Sequence, residues 1–158
     1  MPQVDFYQLT RDPAAAILPV LVQKSLAEGH RVYIAHASEE ARDALSEALW
    51  NASPESFLAH GEVGSCDEAA QPVLLGSGVI GGNGAQYCAI ADGDWREGVD
   101  GYQRIFFLFE PDKIEGARAA WKALSAREGW QCHYWKQDGR RWTRAAGSAP
   151  LATRVRGR

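Results

Sequence analysis

Apolar and polar residues change their spacing several times along the chain, and each change marks a candidate element. At the start, Val4, Phe6 and Gln8 alternate with Asp5, Tyr7 and Leu9, a period of two that predicts a short strand. Both sets contain apolar residues, so this strand is expected to be buried on both sides. Leu18, Leu21, Val22, Ser25 and Leu26 then recur at helical spacing, and Gly29 is placed to stop the helix. Asp12-Pro13 could cap and open this segment, but Pro19 would sit inside it, so the regular part is predicted to begin with Pro19 in its first turn. Val32 to Ala35 reads as a buried strand. Ser38 is a good N-cap, Glu39 and Glu40 suit the positive end of a helix, and Ala41, Ala44, Leu45, Ala48 and Leu49 form the next apolar stripe. Pro54 to Ala70 is expected to be mostly loop. Pro72 to Leu75, Tyr87 to Ala91 and Arg104 to Phe109 are further strand candidates. Asp112 is placed to cap a third helix running to about Arg127, with Ile114, Ala117, Trp121 and Leu124 as its stripe and Gly129 at its close. Gln131 to Lys136 and Arg140 to Thr143 flank Gln137-Asp138-Gly139, where Asp-Gly signals a tight hairpin.

The order strand, helix, strand, helix predicts parallel pairing through right-handed crossovers. The expected architecture is α/β: one domain, a three-layer sandwich around a mixed, largely parallel central sheet. A length of 158 residues fits a single domain, read as 1–145 with a flexible basic tail at 146–158. Apolar runs such as Val20-Leu21-Val22 fall far short of a membrane span, and the first residues lack the basic and apolar regions of a secretory signal, so a cytoplasmic protein is expected.

Charge sharpens this picture. The formal net charge is −3, yet residues 140–158 hold six arginines and no acid, which leaves 11 basic against 20 acidic residues before them, or −9. Such a body repels a phosphate backbone over most of its surface, so broad nucleic-acid binding is disfavoured and any anion site is expected to be local, with weak nucleic-acid contact through the tail as an alternative.

Candidate chemistry at strand ends is sparse. Cys66, Cys88 and Cys132 form no CxxC pair, and His30, His36, His60 and His133 lack the close spacing of metal ligands, so reduced thiols and no metal are expected. Gly76-Ser77-Gly78-Val79-Ile80-Gly81 matches the dinucleotide fingerprint GxGxxG, but Gly82-Asn83-Gly84 follow at once and would break the helix that must hold a pyrophosphate. A loop is expected instead, and no cofactor. The chain has no phosphate loop and no GxSxG nucleophile elbow. Asp92, Asp94, Glu97 and Asp100 lack calcium-loop spacing and read as a solvated acidic loop.

Two clusters carry more. Arg118, Trp121 and Lys122 are related by i, i+3 and i+4, which puts two cations and an indole on one side of the third helix. Arginine can hold a carboxylate with two parallel hydrogen bonds while the indole offers an apolar wall; a core tryptophan flanked by solvated cations has the same spacing. Trp50, Phe57 and Leu58 bring large apolar side chains to the end of the second helix and the loop after it, which fits either a partner surface or loop anchors.

Taken in order, Val4-Asp5-Phe6-Tyr7-Gln8-Leu9, Leu45-Ser46-Glu47-Ala48-Leu49-Trp50, Ser56-Phe57-Leu58-Ala59-His60-Gly61, Gln71-Pro72-Val73-Leu74-Leu75, Ala117-Arg118 with Trp121-Lys122, and Trp135-Lys136-Gln137 with Trp142 resemble the chi subunit of bacterial DNA polymerase III over roughly residues 3–143. The resemblance implies a nucleotide-binding-like α/β fold without a phosphate loop, and a non-catalytic accessory subunit of the clamp loader that meets nucleic acid only indirectly. It implies that Arg118, Trp121 and Lys122 receive the acidic, Phe-ending tail of single-stranded DNA-binding protein, and that Trp50, Phe57 and Leu58 face the psi subunit. Position 121 is Trp where the family also uses Tyr, and Glu115 lies one turn before Arg118, placed to pair with it. The competing readings are a nucleotide- or dinucleotide-binding enzyme using Gly76 to Gly81, and a direct single-stranded DNA binder using tryptophans and the arginine tail.

Overall fold

The opening alternation forms β1 (Gln3–Gln8), and the segment after it forms α1 (Ala14–Ala27) in the computed structural model, which describes residues 2–10, 12–52, 59–64, 67–138 and 141–147. The order continues β2 (Val32–Ala35), α2 (Glu39–Trp50), β3 (Gly61–Glu62), β4 (Val73–Gly76), β5 (Tyr87–Ile90), β6 (Arg104–Phe109), α3 (Ile114–Ser125), β7 (Gln131–Asp138) and β8 (Arg141–Gly147). One eight-stranded sheet runs β3-β4-β2-β5-β6-β1-β7-β8. Every pairing is parallel except that of β7 with β8.

Two apolar layers follow from the strand alternation. Val4 and Phe6 of β1 join Leu74, Cys88, Ile105 and Phe107 beneath Ala117, Ala120 and Leu124 of α3. Tyr7, Ile34, Val73, Leu75 and Leu108 point the other way, under Leu18 and Val22 of α1 and Leu45 and Leu49 of α2. The result is the expected three-layer α/β sandwich. Its β1 strand is covered on both faces, as both-sided apolarity required, with Phe6 at 0% exposure on one side and Tyr7 at 8% on the other.

Several local expectations are corrected. α1 begins at Ala14 and runs through Pro19 rather than starting there. Proline deprives the carbonyl four residues back of its helical donor, a local cost of about 3 kcal/mol, but burial of Leu18, Pro19 and Val22 on the sheet holds the turn in place. Asp12 does not cap the helix; Pro13 takes that position, and the Asp12 carboxylate accepts from Gln137 Nε2 at 2.7 Å. Asp112 lies within a short 3-10 turn, Pro111–Lys113, and Lys113 stands at the N-cap of α3. The expected loop at 54–70 contains β3 and a 3-10 turn, Glu68–Ala70, among its described residues. β8 extends to Gly147, past the Arg140 to Thr143 segment assigned from the Asp-Gly turn. The cap of α2 is as expected, with Ser38 Oγ accepting from the Ala41 amide at 3.2 Å.

The glycine-rich segment has a packing explanation. Tyr33, 1% exposed, donates its hydroxyl to the Gly78 carbonyl at 3.1 Å. A Cβ on Gly76 would stand 2.5 Å from the Tyr33 oxygen, and one on Gly81 would stand 2.6 Å from its Cδ1 and 2.5 Å from Leu74 Cδ2. These glycines make room for a tyrosine inside the sandwich. No helix follows them before β5, so the pyrophosphate geometry of a dinucleotide fingerprint is not formed.

Candidate docking sites on two helices

The third helix lies on the sheet by one narrow face. Ala117, Ala120 and Leu124 are buried, and small side chains at 117 and 120 let the helix approach closely. Rotating away from that face brings Trp121 to the rim and Arg118 and Lys122 into solvent. The Trp121 indole meets Phe6 edge-on at 5.3 Å and Tyr134 at 5.7 Å, so one side of it is fixed by packing while the residue stays partly exposed. This tryptophan is therefore an edge of the core that keeps part of its indole at the surface.

Arg118 is 67% exposed along its side chain, and its ion pair among the described residues is with Glu115 at 3.9 Å, itself 89% exposed. An ion pair this open and this long is largely screened by water, and leaves most of the guanidinium donors facing outward. Tyr134 on β7 completes the rim. Burial raises its phenol above the ordinary value while the nearby Arg118 charge pulls it back, and its hydroxyl donates to Gln8 Oε1 at 2.7 Å. Sequence reading missed Tyr134 because it comes from a strand beyond the helix; only the β1–β7 register, Phe6 opposite Tyr134, brings it under Trp121.

The second cluster lies on the opposite layer. Trp50 ends α2 and is 42% exposed. Its ring lies 4.4 Å from that of His60, and His60 Nε2 shares a 2.7 Å hydrogen bond with Ser46 Oγ one turn back on the helix. Arg42, further up α2, reaches Glu62 of β3 at 3.3 Å. The return of the chain after α2 is thus pinned to the helix by two polar contacts and an aromatic one. Phe57 and Leu58 lie outside the described residues.

The strand ends hold other chemistry. A crevice of about 170 Å³ opens at the carboxyl ends of the central strands, lined in part by His36, Asp92, Glu110, Asp112 and Lys113. Asp92 is not part of a solvated loop: its side chain is 7% exposed and accepts two hydrogen bonds from Arg96, at 3.0 and 2.8 Å. Burial pushes its carboxyl up, but Arg96 and the amides of Ala37 and Asp94 outweigh burial and hold it below the ordinary value. Asp94, Glu97 and Asp100 are exposed, as expected. Cys88 and Cys132 are free and buried, and burial pushes the Cys88 thiol up to about 12, which makes it a poor nucleophile. No group of three metal-ligating side chains occurs among the described residues. None of the described helices is long and apolar enough to cross a membrane.

A largely parallel sheet between helical layers, with aromatic and cationic side chains exposed on the helix flanks, defines a three-layer α/β sandwich. The family model of the DNA polymerase III chi subunit, HolC, matches residues 1–131, and the chain belongs to that family, an accessory subunit of DNA polymerase III. No curated protein matches the chain in sequence. The match takes in both helix clusters and ends where β7 begins.

Proposed function

We propose that this chain is a non-catalytic linker within the DNA polymerase III assembly, joining single-stranded DNA-binding protein to the clamp loader through psi. Arg118, Trp121 and Lys122 receive the acidic C-terminal tail of single-stranded DNA-binding protein, with Arg118 on the terminal carboxylate, the Trp121 indole beside the terminal phenylalanine and Lys122 near the upstream acids. Trp50, with Phe57 and Leu58, receives psi. The protein works in the cytoplasm at the replication machinery and meets nucleic acid only through its partners.

The observation that carries this reading is an outward-facing guanidinium on α3, held beside a half-buried indole and engaged within the described residues only by the distant Glu115. A second observation supports the linker role. α3 packs on one face of the sheet and α2 on the other, so occupancy of one cluster leaves the other open.

The test is capture of this chain by immobilised single-stranded DNA-binding protein, intact and lacking its terminal residues, at two salt concentrations. Capture by the intact protein alone, weakening as salt rises, is the expected result. Equal capture by both forms would remove the tail site. A ternary capture with psi, undiminished by saturating tail peptide, tests the second surface.

A further inference from the structure

β2 and β5 are neighbouring parallel strands whose connections leave on opposite faces of the sheet. From β2 the chain passes to α2 in one layer; from β5 it passes through 91–103, with Trp95, Val99 and Tyr102 in the other. In open α/β sheets a ligand crevice forms where such connections diverge. Here a side chain of the protein itself takes up the donors at that place. Asp92 Oδ2 accepts from the Ala37 amide at 3.0 Å and Arg96 Nη2 at 2.8 Å, while Oδ1 accepts from the Asp94 amide at 3.1 Å and Arg96 Nη1 at 3.0 Å. The Arg96 side chain is 14% exposed, so its fork is aimed inward at this one carboxylate.

We propose that Asp92 is an internal ligand occupying an oxyanion site built from Arg96 and the amides of Ala37 and Asp94, and that these donors bind a free phosphate-like oxyanion once the carboxylate is removed. A planar guanidinium with two converging amides is a donor set for carboxylate and phosphate alike. Supplying the anion from within the chain saves the cost of capturing one from solution. It also takes up donors that would otherwise face the strand-end crevice, which stays open beside Asp92. This inference does not depend on the tail or psi assignments.

The experiment is thermal melting of the full chain in sodium phosphate against sodium chloride at matched ionic strength and pH 7. Any general salting effect of phosphate appears equally in the unsubstituted protein and is subtracted. Asp92→Ala is expected to gain about 4 °C in phosphate at ten times its dissociation constant, and adding Arg96→Gln is expected to abolish the gain. Asp92→Ser serves as a second variant should the alanine variant fail to fold. If neither folds in chloride, recovery of folded protein in phosphate that is lost on adding Arg96→Gln supports the proposal, and recovery regardless of Arg96, or failure in both salts, overturns it. Equal melting of the folded variants in both salts, after subtraction, also overturns it.

Discussion

Replacing Arg118 with alanine separates binding from folding, because the side chain is 67% exposed and its visible ion pair, to Glu115, is 3.9 Å long. Exposed substitutions of this kind change stability by about 0.5 kcal/mol or less. In the bound state the same guanidinium would make charge-assisted hydrogen bonds to a terminal carboxylate, each kind worth about 1.5–3 kcal/mol. At 298 K that corresponds to an affinity loss of about 10- to 150-fold. A fluorescently labelled peptide ending in Asp-Phe with acids upstream, titrated by anisotropy, is expected to bind at about micromolar strength. Arg118→Ala should move the curve by that factor with an unchanged melting temperature, and the difference should shrink as salt rises. Superimposed curves would refute the carboxylate clamp. A loss of binding matched by a lowered melting temperature would show instead that Arg118 supports the fold.

Four further substitutions probe other parts of the molecule. Glu115→Gln removes the carboxylate that faces Arg118 and should tighten the peptide by a factor of about two to five, as befits an exposed pair; an unchanged or weaker titration would count against competition for the guanidinium. Trp50→Ala should reduce capture by psi while leaving tail-peptide affinity unaltered, since α2 and α3 lie on opposite faces of the sheet; a change in both would join the two surfaces. Gly81→Ala should lower stability by about 1–3 kcal/mol in urea unfolding, because the new methyl lies against Tyr33 and Leu74, and a neutral effect would undo the packing explanation of that segment. Asp92 has a folded pKa below its ordinary 3.8, so the unfolded chain binds more protons between the two values; its stabilisation is present above 3.8 and is lost as pH falls through the folded value. Asp92→Asn should therefore flatten the acid limb of stability below pH 3.8, whereas an identical slope in acid titrations would contradict the hydrogen bonding assigned to that carboxyl.

Much of the fold was legible in local pattern. A strand apolar on both sides has to lie between two layers, which is where β1 sits, and Ser38 followed by two acids marks a helix start that the Ser38 to Ala41 hydrogen bond realises. The spacing of Arg118, Trp121 and Lys122 likewise sufficed to put them on one helical flank. Local rules failed where a long-range partner outbid them. Pro19 stays within a helix because the sheet holds its neighbours, and Asp12 leaves the cap for Gln137, 125 residues away.

What the sequence by itself determined is the set of elements, their apolar faces, the absence of a phosphate loop and the placement of Arg118, Trp121 and Lys122 on one helix, since each depends on residues within a few positions of one another. Only tertiary structure decided which strand lies beside which, and with that the three things spacing does not encode: Tyr134 beneath Trp121, Tyr33 inside the glycine-rich turn, and Arg96 folded back on Asp92. Even the last pair, four residues apart, owes its setting to the Ala37 amide, delivered by the connection that leaves the neighbouring strand β2. Strand order is a sum of many small packing preferences over the whole chain, whereas periodicity is fixed by the geometry of a single turn or pleat.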